Sequence, residues 1–536
     1  MLAPAGHTAP DFTSPRARVE RWASAVARAL GWSGSPWVGL VLMLLTISAC
    51  LIRAGGLPDV PGTLARDESR LALAARSILE RGIPGAPGGV IYTRGLLPGY
   101  LEALAFAVLG ISDQSARLPA IIAGTLIVPA TYWCARGLIR SWPAATAATI
   151  VAFSPPLISL AREAWLYAWL TLWLVLATGW LIRALRDGRT ESYACAGLAY
   201  TAAVFSHELA ALFLPAAALA QLIQLRALGI RKCWPALVAF WLVAVIVTVA
   251  ALALTAALRA PTAAGGGSEF QSYLRGTMDP RGLSLTMRLI AASHPWLIPI
   301  SALGLGMLVA RRQWRALAWP LIIFILVLLA FNGFFLTRRG HPRDIQVVLP
   351  LLAVAASFTA WRTIPFVVCA LLDCRLTVSR ARILGLAACV VVAISSVDIS
   401  GIAQSARRLN PAPTWLQAMA EYTDQDIVLS FAPTQTTHYL GKTDFWLRPN
   451  GFARYIWAGP PPYRDIYTGA MVIRGVRELD AQVIARNRGR ILWVLAQREA
   501  PAEQRVAINE ILARLRPLLI EEPATGDGTR VLRIQL

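Results

Sequence analysis

The stretch Leu64-Ala-Arg66-Asp67-Glu68-Ser-Arg70-Leu71-Ala-Leu-Ala74-Ala75-Arg-Ser-Ile78-Leu79-Glu-Arg81-Gly82 decides how this chain is read. Leu71, Ala74, Ala75, Ile78 and Leu79 recur at helical spacing and Gly82 supplies a stop, so the spacing predicts an amphipathic helix along a membrane surface. The stretch follows an apolar run at 37–54, close to the roughly 20 residues that cross a bilayer. The acidic pair Asp67-Glu68 is therefore offered to one side of a membrane. Asp67 lies four residues before Leu71, which puts its carboxylate on the buried stripe, while Arg66, Arg70 and Arg81 look elsewhere. An acid on a buried stripe needs a partner or a chemical task. Two readings stay open: acids that complement the helix dipole and cap the first turn, or a general base at the membrane boundary.

The rest of the chain supports a membrane setting. Its 536 residues are 56% hydrophobic and 15% charged, far from the balance of a soluble domain of that size. The net charge of +21 rests almost wholly on arginine, Lys232 and Lys442 being the lysines, and many arginines flank apolar runs. Positive charge there sets orientation and meets lipid phosphate, which argues against nucleic acid as the partner. Seven cysteines (50, 134, 195, 233, 369, 374 and 389) lie in or beside apolar runs without a CxxC, which excludes a disulfide framework or zinc ribbon. The first 35 residues carry no short apolar core or Ala-x-Ala site, so 37–54 is expected as a retained anchor.

Apolar runs fall at about 37–54, 117–135, 142–160, 165–182, 192–206, 209–225, 234–258, 287–310, 317–336, 344–361 and 383–401. A further run, 96–109, is too short to count. Without it, the arginine clusters around 16–28, 136–140, 183–189, 226–232, 311–315 and 375–382 all share one side. The reading is an α-helical polytopic membrane protein of about 11 spans, 11–13 being allowed, with a cytoplasmic N-terminal segment 1–36 and a membrane module 37–402 whose first outer loop is 55–116. Arg66, Arg70, Arg94, Arg162, Arg338, Arg339 and Arg343 break the pattern by falling on the outer side. They are read either as structural pairs or as a cradle for an anionic group. Residues 403–536 alternate strand-like runs (426–431, 490–496, 530–536) with helical ones (476–488, 502–518), a small α/β domain. Its aromatics Tyr439, Trp446, Tyr455, Trp457, Tyr463 and Tyr467 suit either sugar stacking or a packing seam. Arginine in place of lysine, with abundant alanine, hints at a GC-rich bacterial genome, so the expected location is a bacterial inner membrane with this domain in the periplasm.

The order of these pieces resembles a known family. A first span is followed by Asp67-Glu68-Ser-Arg-Leu, then Gly-Leu-Leu-Pro-Gly-Tyr-Leu-Glu-Ala-Leu (95–104), Ala-Arg-Leu-Pro-Ala (116–120) and Phe-Ser-Pro-Pro-Leu-Ile-Ser-Leu-Ala-Arg-Glu-Ala (153–164). Together with His341-Pro-Arg-Asp-Ile-Gln-Val-Val-Leu-Pro350, this looks like the GT-C glycosyltransferases. It is most similar to the group of dolichyl-phosphate-mannose protein mannosyltransferases and aminoarabinose lipid A transferases, over residues 37–360. The resemblance implies a GT-C-like bundle and a polyprenyl-phosphate sugar donor at the outer leaflet. It further implies that Asp67, and more weakly Glu68, activates an acceptor nucleophile. It also implies a second acid after the arginine of the second outer loop; here Glu163 and then Tyr167 follow Arg162.

A lipid phosphate is already a good leaving group, so positive charge beside it and a base beside the acceptor suffice. Arg162, Arg338, Arg339 and Arg343 are the candidates for the donor phosphate. Glu163, Tyr167, His207 and Glu208 are the candidates for lining the acceptor side. No cofactor is required; if a divalent cation takes part, Asp67, Glu163, His207 and Glu208 are its candidate ligands. The expected partners are the lipid-linked sugar, membrane lipids and an envelope acceptor that is a glycan, a lipid or a protein. A lipid or solute transporter and a non-catalytic membrane partner are the alternatives. Transporters place ionisable groups at mid-membrane in matching halves, whereas this chain gathers them at one face.

Overall fold

A computed structural model describes residues 36–55, 64–258 apart from 229, 295–310, 346–372, 377–407 apart from 396, 414–448, 455–497, and 502–536 apart from 524 and 526–528, with a few isolated positions between 288 and 326. Arg338, Arg339, Arg343, His341 and the runs at 259–286 and 327–345 lie outside the described residues.

The membrane module is built of helices α1 (Pro36–Ala54), α2 (Arg66–Arg81), α3 (Leu96–Leu109), α4 (Asp113–Ala135), α5 (Ser141–Ala152), α6 (Pro155–Arg162), α7 (Tyr167–Asp187), α8 (Thr190–Ser206), α9 (Phe213–Leu228), α10 (Ile230–Ala257), α11 (Leu297–Ala310), α12 (Leu349–Leu371), α13 (Val378–Ser395) and α14 (Ile399–Arg407). Among the described residues, α1, α4, α7 and α12 are each long and apolar enough to cross a bilayer, and two bent pairs raise the number to six. One of those pairs corrects the expectation of an unbroken run at 142–160. α5 and α6 meet at 58° because Pro155 and Pro156 cannot continue a helix but fit the first turn of a new one. Helix α3, at 14 residues and about 1.5 Å per residue, falls short of a crossing. It turns Glu102 inward and leaves Leu104 and Val108 bare on its outer face.

Arginine marks one end of this bundle. Arg183 lies 3.5 Å over the Trp133 ring and donates to the Trp133 carbonyl, Arg186 donates to the Gly137 carbonyl, and Arg136 to that of Ile139. These bonds satisfy the open carbonyls where α4 ends beside α7. The opposite end holds the start of α2, the start of α4, the bend between α6 and α7, and the turn after α8.

The tail begins with the short α15 (Thr414–Ala418) and contains strands β1 (Ile427–Ser430), β2 (Phe445–Leu447), β3 (Met471–Ile473), β4 (Ile491–Gln497), β5 (Leu519–Glu521) and β6 (Thr529–Gln535), with helices α16 (Pro433–Leu440) and α17 (Ala502–Leu515). The sheet order is β3-β2-β1-β4-β6-β5, parallel through β4 and antiparallel beyond it. Alternation along the strands serves two cores. Leu429, Leu492, Val494 and Ile534 pack with Ile511 and Leu515 of α17, while Val428, Trp493 and Val531 pack with Trp415 and Met419. The strand-like runs expected at 426–431, 490–496 and 530–536 are β1, β4 and β6.

The tail grips the first loop of the membrane module at two places. At the first, the Tyr439 hydroxyl accepts from the Leu64 N–H at 2.8 Å and donates to Asp113 Oδ2 at 2.7 Å, and Gln435 Nε2 donates to the Leu64 carbonyl at 3.0 Å. At the second, Trp457 Nε1 donates to the Gly88 carbonyl at 3.0 Å, and the Gly88 N–H donates to the Tyr467 carbonyl at 2.7 Å. Gly88 has to be glycine for this approach. A Cβ there would sit 2.5 Å from the Ile466 carbonyl oxygen and 2.6 Å from the Gly469 nitrogen. Replacing Gly88 with valine is therefore expected to loosen the tail and raise protease cleavage between the two parts several-fold; an unchanged digestion pattern would contradict this docking.

Candidate active site

Helix α2 forms as the apolar spacing predicts and ends at Gly82, whose φ of 77° is a left-handed stop. The expected stripe is buried at Leu71, Ala74, Ala75 and Ile78, but it takes in Glu68 and Ala72 in place of Asp67, whose side chain is 41% exposed, and Leu79, which is 43% exposed. The expectation that Asp67 points inward is thus corrected. In the first turn, Asp67 swings toward Arg70, whose Nη1 donates to Asp67 Oδ1 at 3.1 Å.

Glu68 takes the inward place and is bound on both oxygens. Its Oε2 accepts from the Ala65 N–H at 2.6 Å, closing the first turn, and its Oε1 accepts from the Ala164 N–H at 2.6 Å. Arg117 Nε stands 3.7 Å from the same Oε1, both side chains almost fully buried. The capping reading therefore describes Glu68, which ties α2 to α4 and to the bend after α6.

Arg162 is likewise built into the frame. Its Nη1 donates to the carbonyls of Ile52, Arg53 and Gly55 at 3.3, 3.0 and 2.7 Å, capping the end of α1. It is buried at 2% exposure, so the expected role at a donor phosphate is not one its geometry favours. Glu163 is half-buried in the bend beside Ala164, and Tyr167 opens α7.

The Tyr167 ring lies 4.9 Å from that of His207. His207 caps the short helical turn Glu208–Leu212, its Nδ1 accepting from the Leu209 N–H at 3.0 Å. Arg94 Nη2 is 2.8 Å from His207 Nε2, and Arg94 Nε is 3.4 Å from Glu208 Oε1. A neutral imidazole has one acceptor nitrogen, so it accepts from Leu209 or from Arg94 but not from both. The ring is held neutral, because burial, aided by Arg94 and opposed by Glu208, lowers its pKa to about 3. Burial acts to raise Glu208, yet the Arg94 guanidinium together with His207 and a backbone hydrogen bond more than reverses this and holds the carboxyl at about 2. Of the four side chains considered as metal ligands, Asp67 pairs with Arg70, and His207 and Glu208 both meet Arg94. Among the described residues no three His, Cys, Asp or Glu side chains cluster to hold a metal ion.

His207 gives a pH prediction. Its folded pKa lies below the unfolded value of 6.5, so its contribution to stability is full above pH 6.5 and is lost as pH falls toward 3. Glu208 acts in the same direction, but only below 4.5. Between pH 6.5 and 5 the wild-type chain should lose on the order of 1 kcal/mol per pH unit from this histidine. His207→Asn keeps a capping oxygen and removes the proton site, so its melting temperature should fall less over that window. Parallel curves for the two proteins would contradict the neutral ring.

The structure thus joins Glu68, through Ala164, to the bend that carries Glu163, and Tyr167 to His207, which Arg94 links to Glu208, while Asp67 pairs with Arg70. Sequence reasoning named Arg70 and Arg94 only within the open choice between structural pairs and an anion cradle, and did not name Arg117. Arg70 and Arg94 carried a signal in breaking the positive-inside pattern, and Arg117 in the quoted Ala-Arg-Leu-Pro-Ala. Glu102, 2% exposed and pushed well above the usual carboxylate range by burial and by Glu68, carried none beyond being an acid in an apolar run.

Residues 93–252 match the family of dolichyl-phosphate-mannose-protein mannosyltransferases. No curated protein matches the chain by sequence. Among solved structures, the chain is similar to ArnT from Cupriavidus metallidurans bound to undecaprenyl phosphate, with a TM-score of 0.62 and 14% identity over 94% of this chain and 98% of that one. It is also similar to the oligosaccharyltransferase AglB from Archaeoglobus fulgidus in complex with an inhibitory peptide and a dolichol-phosphate. That match has a TM-score of 0.53 and 14% identity over 75% of this chain and 63% of that one. The family model thus bears out the resemblance over 93–252, and the fold is that of the GT-C membrane protein ArnT.

Proposed function

We propose that this chain, a GT-C glycosyltransferase, moves a sugar from a polyprenyl-phosphate donor in the outer leaflet to an acceptor in the cell envelope. Asp67 is the general base. The observation that carries this reading is the division between the adjacent acids: Glu68 is enclosed and saturated, while Asp67 is 41% exposed at the same end as Arg94, Tyr167, His207 and Glu208. Further support is that the ArnT structure holds undecaprenyl phosphate and the AglB structure a dolichol-phosphate.

In the reaction, an acceptor hydroxyl or amine loses its proton to Asp67 as its oxygen or nitrogen bonds to the anomeric carbon. The bond from that carbon to the phosphate oxygen breaks, and the electron pair leaves with the lipid phosphate, inverting the centre. A guanidinium beside the departing phosphate stabilises the charge that develops there. Arg94, 24% exposed, suits this task better than Arg162, and Arg338, Arg339 and Arg343 remain proposals from the sequence. The test is incubation of the purified chain with a panel of polyprenyl-phosphate sugars, including mannose and aminoarabinose donors, and envelope acceptors. Release of polyprenyl phosphate with one of them is expected; a chain that binds and consumes none of them would overturn the reading.

A further inference from the structure

The residues around Arg70 come from both parts of the protein. Its guanidinium carbon lies 4.7 Å from the ring centre of Tyr455 and 4.6 Å from that of Tyr467, both in the tail. Tyr467 also meets Tyr92 of the first loop edge-on, ring centres 6.1 Å apart, and Tyr455 at 6.0 Å. The loop presenting Tyr467 is built for the purpose. Asp465, 2% exposed, accepts from the Thr468 N–H at 2.8 Å and the Thr468 hydroxyl at 2.6 Å, and the Tyr467 carbonyl is held by the Gly88 N–H. Arg70 is 11% exposed on its side chain and donates to Asp67.

We infer that the tail domain positions the proposed base: Tyr455 and Tyr467 hold the Arg70 guanidinium, and Arg70 holds the Asp67 carboxylate. This rests on the reading of Asp67 given above. An arginine on a helix surface has many rotamers, and a single exposed ion pair with a carboxylate fixes neither partner. Two aromatic faces remove that freedom, because a cation over a ring is attracted to it and the planar guanidinium stacks on it. The same tail anchors the start of α2 through Gln435 and Tyr439, so both the backbone entering the helix and the partner of its first-turn acid are set by one domain. Tyr455 and Tyr467, two of the aromatic residues considered for sugar stacking, here face a cation of the protein itself.

The experiment compares kcat and donor KM in the full chain for Y455L/Y467L, Y455F/Y467F and R70K, with thermal unfolding as the fold control. The Phe pair keeps both rings and should stay within about two-fold of wild type. The Leu pair should lose roughly 10- to 100-fold in kcat with donor KM little changed, the pattern of a misplaced group. R70K, whose compact ammonium cannot stack as a plane, should lose kcat in the same way and carries the test if the Leu pair does not fold. A Leu pair or R70K variant with wild-type kcat overturns the inference, as does a Phe pair that falls as far as the Leu pair. A wild-type chain that consumes no donor overturns the underlying reading instead, and the inference with it.

Discussion

Asp67→Asn should cost sugar transfer about 10²–10⁴-fold in kcat, the range expected when a general base is removed. Its effect on stability should be small. The ion pair with Arg70 involves an acid 41% exposed, and exposed pairs are worth about 0–1 kcal/mol. Asparagine has the same size and can still accept from Arg70. Thermal unfolding of the variant should therefore superpose on wild type to within a few degrees while donor turnover disappears. A variant that loses both together would place Asp67 in the frame of the protein instead of its chemistry.

The neighbouring acid should behave in the opposite way. Glu68→Ala leaves the Ala65 and Ala164 N–H groups without their acceptor and the buried Arg117 without its counter-charge. Removing one partner of a buried ion pair typically costs about 3–5 kcal/mol. The expected result is a large fall in melting temperature and in the yield of folded protein. Glu68→Gln, whose amide oxygen can keep one of the two N–H groups, should be milder. A Glu68→Ala protein as stable as wild type would show that this carboxylate does not tie α2 to the bend after α6. Two adjacent acids would then separate cleanly: one change abolishes turnover in a stable protein, and the other destabilises the protein first.

How much of this was legible in the sequence depends on the distance over which each interaction acts. Helix α2, its stop at Gly82, the inner strands β1, β4 and β6 of the tail sheet and the gathering of polar residues at one face follow from local spacing, and all are present. The choice between Asp67 and Glu68 was not legible. Which of the two faces inward is set by Ala164 and Arg117, the partners of Glu68, 96 and 49 positions away from it. The break between α5 and α6 was readable from Pro155-Pro156, but hydropathy alone runs across it. The docking of the tail was the least accessible part, since Tyr439 meets Leu64 across 375 positions and nothing in either stretch names the other. Arg162 misled for a related reason. An arginine at the outer end of a helix suits a phosphate and a set of open carbonyls equally well, and the three carbonyls it meets lie more than a hundred residues earlier.

The most direct measurement is a paired one on the full chain in lipid nanodiscs: binding of a radiolabelled polyprenyl-phosphate sugar and release of polyprenyl phosphate, for wild type and Asp67→Asn in the same preparation. The account predicts that both proteins bind the donor and only wild type releases the lipid phosphate to an added acceptor. Equal release by the two would contradict it.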